Sequence, residues 1–200
     1  MPLDRACATL GGMSHILGMS GSLRQGSFNT ALLQFVARSL PEGARMEIAR
    51  IDDMPLYNED ARLKGYPPPA QRLREQIAAA DLVLIVTPEY NYSIPGVLKN
   101  AIDWASRPPN QPFEGKPIGI MGASTGMLGS ARAQYHLRQC FVFLNAPVMS
   151  RPEVMVAHAR ERFDEQGNLT DVSTQQHVVK FLRALVEFSA RMKRVDSTGP

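Results

Sequence analysis

The chain reads as an α/β domain built on a doubly wound, five-stranded parallel sheet with helices on both faces. Three observations predict this. Apolar runs of strand length alternate with amphipathic helical stretches along most of the chain. The run Asp81-Leu82-Val83-Leu84-Ile85-Val86-Thr87 is continuously apolar, as in a strand covered on both faces. Three strand-following loops, at 20–29, 88–93 and 122–129, are rich in glycine, hydroxyl or aromatic residues. In doubly wound sheets, ligands gather outside the carboxyl ends of the strands.

The first strand is expected over residues 16–20. A helix follows over 30–40, with Ala31, Leu32, Phe35, Val36 and Leu40 on or near one face, and Pro41-Glu42-Gly43 stops it. The stretch 45–51 alternates through Met46 and Ile48 and predicts a second strand with one wetter face. Residues 52–66 are irregular and polar; a short helical turn within them is the alternative. A helix follows over 69–80 through Leu73, Ile77 and Ala80. The third strand occupies 81–87. Pro95 opens a helix at its first turn, running through Val97, Leu98, Ala101, Ile102 and Trp104. The fourth strand covers 116–121, a helix 130–143, a fifth strand starts at Pro147-Val148, and a last helix spans 172–193. Residues 1–12 lack pattern and are expected to be flexible; 13–195 are expected to form a single domain.

Composition excludes several classes. The chain has 200 residues, with 44% hydrophobic and 20% charged, as in an ordinary soluble globular protein. The net charge of +3 is matched by the cluster Arg191, Lys193 and Arg194, which reads as a solvated helix end. The rest is nearly balanced, so no basic stripe points to nucleic acid. No run has the length of a membrane span, and the first twelve residues do not read as a secretory signal, so the expected compartment is the cytoplasm. Cys7 and Cys140 make no disulfide framework or metal spacing, and Cys140 is expected to be buried and inert. The four histidines share no metal-like spacing.

The loop chemistry is more specific. Ser20-Gly21-Ser22-Leu23-Arg24-Gln25-Gly26-Ser27-Phe28-Asn29 lies between a strand and a helix start. Free backbone N–H groups, the positive end of the helix dipole and the Arg24 charge together suit a phosphate. It is neither a Walker loop nor a Gly-x-Gly-x-x-Gly turn. An ordinary Ser/Gly turn capping a helix accounts for the segment taken alone. The second loop, Pro88-Glu89-Tyr90-Asn91-Tyr92-Ser93, offers aromatic surface and an amide. The third, around Gly122-Ala123-Ser124-Thr125-Gly126, offers exposed N–H groups and small hydroxyls. A ligand with a phosphate at one end and a flat, polar-edged ring at the other matches all three, and flavin mononucleotide (FMN) has that shape.

These blocks resemble the NADPH-dependent FMN reductase family, which includes quinone, azo-dye and chromate reductases. The matching residues are Gly21-Ser22-Leu23-Arg24 with Ser27 and Asn29, the block from Pro88 to Trp104, and Gly122-Ala123-Ser124-Thr125-Gly126 with Gly129, Arg132 and Leu137-Arg138. The resemblance spans about 14–146. It implies a flavodoxin-like fold with strand order 2-1-3-4-5, noncovalent FMN, NADPH or NADH as donor, and a homodimer or homotetramer. It implies hydride transfer through FMN to quinones or similar acceptors such as azo compounds, free flavin or chromate. Carried over by position, Ser22, Arg24, Ser27 and Asn29 bind the phosphate. Pro88, Glu89, Tyr90 and Asn91 line the ring, and Ser124, Thr125 and Gly126 meet its pyrimidine side or the ribityl chain.

No catalytic side chain is assigned, because the hydride chemistry belongs to the flavin. Glu89 is expected to act through its backbone, its carboxylate facing solvent or a partner subunit. Asn91 either contacts the ring or shapes the turn, and Tyr90 either faces the ring or sits in the core. Lys99 and Asp103 are spaced for an exposed pair, and Trp104 for core or interface. His136 reads as a surface histidine or as a contact to a nicotinamide phosphate or neighbouring subunit. A flavodoxin-type electron carrier is the rival reading, and the lack of an acidic surface excess speaks against it.

Overall fold

The computed structural model describes residues 13–197; the expected N-terminal segment, with Cys7, lies outside the described residues. The elements run β1 (Ser14–Ser20), α1 (Phe28–Arg38), β2 (Ala44–Ala49), α2 (Glu59–Arg62), α3 (Pro68–Ala79), β3 (Leu82–Val86), α4 (Gly96–Ala105), β4 (Ile118–Ala123), α5 (Ala131–Phe143), β5 (Val154–Val156), a 3-10 turn (Ala159–Glu161) and α6 (Val172–Ser197). The strands form one sheet in the order β2-β1-β3-β4-β5, every pair parallel. Among the described residues, no helix is long and apolar enough to cross a membrane.

Alternate side chains of the central strands feed two cores. Leu17, Met19, Val83, Ile85, Ile118 and Ile120 pack with Leu73 and Ile77 of α3, Leu98 and Ile102 of α4, and Leu137 and Phe141 of α5. Ile16, Leu82, Leu84, Val86 and Met121 pack on the other face with Leu32, Leu33 and Val36 of α1 and Val178, Phe181, Leu182 and Leu185 of α6. Burial on both faces is why the third strand reads as an unbroken apolar run.

The element boundaries correct several expectations. β1 begins two residues early, at Ser14, and Ile51 lies beyond β2. α1 starts at Phe28, because Ser27 caps it: its hydroxyl accepts from the N–H groups of Asn29 and Thr30. The irregular stretch hides α2, capped by Asn58. Pro95 is the N-cap of α4 rather than its first residue. The fifth strand is not at 147–148. Val148 makes only an isolated bridge to Ile118, the chain breaks at Pro152, which has no N–H to donate, and pairing with β4 resumes at Val154. Cys140 is half-buried, not fully buried, and burial pushes its thiol pKa up. Trp104 is core: it is fully buried and its indole N–H donates to the Pro55 carbonyl at 2.8 Å. α4 therefore packs its apolar residues within the subunit.

Winding reverses between β1 and β3, whose last residues, Ser20 and Val86, stand in register. The crevice at that reversal is bounded by the β1–α1, β3–α4 and β4–α5 connections.

Candidate active site

The β1–α1 connection arrives at the crevice with its donors sorted. Gly21 N–H donates to Val86 O at 2.8 Å, tying the loop to the neighbouring strand end. Ser22 and Ser27 are buried. Ser22 Oγ accepts from Arg24 N–H at 3.4 Å, and Ser27 Oγ accepts from Asn29 N–H at 3.2 Å, so each hydroxyl keeps its own proton to give. Asn29 is buried and reaches across to β4: its Oδ1 accepts from Ala123 N–H at 2.8 Å and its Nδ2 donates to Ala123 O at 3.0 Å. One amide proton of Asn29 remains. Arg24 is exposed, with its guanidinium 5.7 Å from the Phe28 ring centroid. The first turn of α1 carries no acidic residue.

The β3–α4 loop is a tight turn. Tyr90 and Ser93 exchange two backbone hydrogen bonds, both 3.0 Å, around Asn91 and Tyr92 at φ 49° and 67°. Two successive left-handed residues give the turn that matches strand twist, and Asn tolerates that region better than most residues. Glu89 does not face solvent. Its side chain is 7% exposed and accepts from the N–H groups of Arg132 at 3.0 Å and Ala133 at 3.2 Å, at the start of α5. It also accepts from Arg132 Nε at 2.5 Å and pairs with Arg132 Nη2. Burial alone pushes the Glu89 pKa up; the Arg132 guanidinium and the two backbone donors outweigh it and hold the carboxyl below its usual range. Arg132 also lies 3.4 Å from the Tyr92 ring centroid, and His136 Nδ1 sits 3.1 Å from Ser93 Oγ.

The β4–α5 loop is stitched to the chain beyond β5. Ser124 N–H donates to Val156 O, His158 N–H to Gly126 O and Ala159 N–H to Ser124 O. Gly122 is obligatory here, because a Cβ on it would lie 2.1 Å from Ser130 Oγ and 2.2 Å from Thr87 O. Thr125 and Gly126 stand exposed above this base.

Together the loops enclose a cleft of about 180 Å³ lined by Ser22, Arg24, Ser27, Asn29, Glu89 and Ser124 with their neighbours. Its donor end holds two hydroxyls, an amide and a guanidinium. Its one carboxylate is already bound to Arg132 and the start of α5.

The profile of the NADPH-dependent FMN reductase family matches residues 14–161. The chain is 54% identical over 178 residues to an NAD(P)H-dependent FMN reductase of Pseudomonas aeruginosa, covering 89% of this chain and 96% of that one. It is 49% identical over 185 residues to a quinone reductase of Escherichia coli, with 89% and 96% covered. The solved structure of a flavoenzyme NAD(P)H:(acceptor) oxidoreductase from Paracoccus denitrificans superposes with a TM-score of 0.82 at 34% identity, covering 90% of this chain and 99% of that one.

The chain belongs to the NADPH-dependent FMN reductase family.

FMN is the group this reductase family is named for, and the residues present suit it. A phosphate dianion needs donors and a positive charge, and the α1 end of the cleft supplies those with no free carboxylate beside them. Nine of the eleven expected site residues line the cleft: Ser22, Arg24, Ser27, Asn29, Pro88, Glu89, Tyr90, Ser124 and Thr125. Asn91 and Gly126 stand outside that lining, Asn91 in the turn and Gly126 above the third loop. Tyr90 is 49% exposed at the rim, not core.

Two features escaped the sequence reading. The Glu89–Arg132 pair joins residues 43 apart, which no local periodicity links. The clamp of Asn29 on Ala123 spans 94 positions. An Asn two residues after Ser27 at a helix start was the available signal for the second, and nothing local pointed to the first.

Proposed function

We propose that this reductase binds FMN noncovalently in the cleft, accepts hydride from NADPH or NADH there, and delivers it to quinone-class acceptors. The observation that carries the reading is the donor-only end of the cleft at the first turn of α1, set at the winding reversal of a chain that belongs to this family. The acceptor class follows the relative named a quinone reductase. Azo compounds, free flavin and chromate are further acceptors to assay.

FMN, when bound, supplies the hydride-accepting and hydride-donating ring. Everything else is the protein's work. Ser22, Ser27, Arg24 and the free amide proton of Asn29 bind the phosphate. Pro88, the Glu89 backbone and Tyr90 form the wall for the ring, with Asn91 holding the turn behind it. Ser124, Thr125 and Gly126 form the opposite wall, toward the pyrimidine side or ribityl chain. Glu89 is no general base, because its carboxylate is committed to Arg132 and the start of α5. We assign the enzyme to the cytoplasm and to a homodimer or homotetramer. The oligomer is supported by Tyr135, Val142 and Phe143, exposed large side chains on the outer face of α5.

The test uses purified protein. Titration with FMN should reach one flavin per chain, and addition of NADPH with a quinone should consume many equivalents of NADPH. Consumption that stops at one equivalent favours the electron-carrier reading. Protein that takes up no FMN rejects both. Sedimentation velocity reads the assembly state.

A further inference from the structure

The third loop ends in two large apolar side chains that the cleft lining does not include. Met127 is 76% exposed and Leu128 44% exposed, directly after Gly126. Their backbone is pinned on both sides. Gly126 O accepts from His158 N–H at 3.2 Å, and Leu128 O accepts from Ala131 N–H at 2.9 Å. Gly129 follows at φ +54°, and a Cβ on it would lie 2.5 Å from the Met155 carbonyl carbon, so only glycine brings the loop this close to β5. Ser130, buried and at φ 70°, completes the turn into α5. A turn held this way keeps Met127 and Leu128 out in water. Met127 is two residues from Thr125, which lines the cleft, so at most about 7 Å of chain separates them.

The wall across the cleft has the same character. Tyr90 lines it, is half exposed, and stands on a turn closed by its two backbone bonds to Ser93. Residues 88–93 and 124–128 contain one charged side chain, Glu89, and it is committed to Arg132 and the start of α5. The hydroxyls, amide and guanidinium of the cleft belong to the β1–α1 connection and Ser124. The mouth formed by Tyr90, Met127 and Leu128 therefore offers apolar surface and no free charge. Adjacent exposed apolar side chains at the edge of a cleft mark a contact surface for a ligand. The outer face of α5, from Tyr135 to Phe143, is the surface assigned above to a neighbouring subunit; Met127 and Leu128 precede that helix and adjoin the cleft instead.

We infer that Met127 and Leu128 determine acceptor selectivity: with Tyr90 opposite, they cover an apolar substituent on the acceptor ring, so the enzyme prefers quinones that carry an alkyl chain or a fused ring over unsubstituted ones. The inference rests on the function proposed above and names the subclass of acceptor that its site takes. The reaction balance is that of the proposed activity: the quinone gains a hydride originating on the nicotinamide and one proton from water, and becomes the hydroquinone. The selectivity resides in binding, because the substituent takes no part in the bond changes.

The experiment uses the FMN-loaded full chain and two acceptors of matched ring chemistry, 2-methyl-1,4-benzoquinone and 2-pentyl-1,4-benzoquinone, which differ in apolar length. The readout is the ratio of their kcat/KM values, pentyl over methyl, so that a general loss of activity cancels. The parent should favour the pentyl acceptor about fivefold or more. Met127→Ala and Leu128→Ala should each lower that ratio about three- to tenfold, the worth of a partly covered apolar contact. Met127→Gln, of similar length but polar, should lower it as Met127→Ala does, and Met127→Leu should keep it. Equal ratios in the parent and every variant overturn this inference and leave the flavin reading standing. A ratio that falls only where sedimentation velocity shows an altered assembly also overturns it, since the two residues then act as a subunit contact. A parent chain that takes up no FMN, or that consumes no more than one equivalent of NADPH with either quinone, overturns the proposed function and this inference with it.

Discussion

Glu89 and Arg132 lock the β3–α4 turn onto the first turn of α5. The Glu89 carboxylate takes both the Arg132 guanidinium and the backbone N–H groups of Arg132 and Ala133, and Arg132 in turn covers the Tyr92 ring. The turn carries two residues at positive φ, so it needs an external hold to stay in one shape. A carboxylate at a helix N-terminus is also favoured by the dipole.

Glu89→Gln should destabilise the fold by about 1–3 kcal/mol, because a buried charge-assisted bond becomes a neutral one and Arg132 loses its partner. The sign of the pH effect follows from a folded-state pKa held below the ordinary carboxylate value. The stabilisation is present above that ordinary value and is lost as pH falls through the depressed one. Thermal melts from pH 7 down to pH 3 should therefore show a steeper acid limb for the parent than for the variant. Parallel limbs would contradict the pairing.

Asn29→Leu should cut both bonds to Ala123 and leave a buried N–H and C=O at the end of β4. The expected cost is about 2–4 kcal/mol, from two buried hydrogen bonds and the groups they leave bare. Because the same side chain registers the first loop against the third, FMN affinity should fall as well. Urea denaturation and a flavin titration check the two effects separately.

Gly122→Ala should fail at the third loop. Its new methyl would meet the Thr87 carbonyl oxygen, which is backbone and cannot swing away. A loss of at least about 1–3 kcal/mol follows from overpacking, with β4 and the start of α5 pushed apart. A melting temperature equal to the parent's would show that the close approach is absent in solution.

Arg74→Met serves as a contrast on α3, outside the cleft lining. Arg74 is buried and donates to the carbonyls of Ala105, Arg107, Pro109 and Asn110, gathering the chain where α4 ends. Removing it leaves those acceptors short and should lower stability by about 2–4 kcal/mol. FMN affinity of the folded fraction should stay at the parent value, which a titration well below the melting temperature will read.

The fold was legible where burial imposes a pattern. The unbroken run at 82–86 announced a sandwiched parallel strand, and the amphipathic run at 30–40 marked α1 to within two residues of its start. The fifth strand was misplaced because its apolar signal is three residues long and an earlier segment, at Val148, pairs with the same neighbour for a single bridge. The site was legible in its loops, which carry their chemistry locally. Its wiring was not. Glu89 looked turned to solvent or a partner subunit because the partner that buries it lies 43 positions away, and the clamp of Asn29 on Ala123 stayed hidden because it spans 94 positions. Arg74 carried no local mark either, since an arginine on an amphipathic helix reads as surface until the carbonyls that gather around it are known.

The most direct measurement is the affinity of FMN for the parent chain and for Arg24→Ala. Arg24 is exposed and forms no ion pair among the described residues, so its loss should leave the melting temperature of the flavin-free protein unchanged. The account predicts one FMN per chain for the parent and binding weaker by about one to two decades for the variant, the worth of one charge-assisted contact to phosphate. Equal affinities, or a parent chain that binds no flavin, would contradict it.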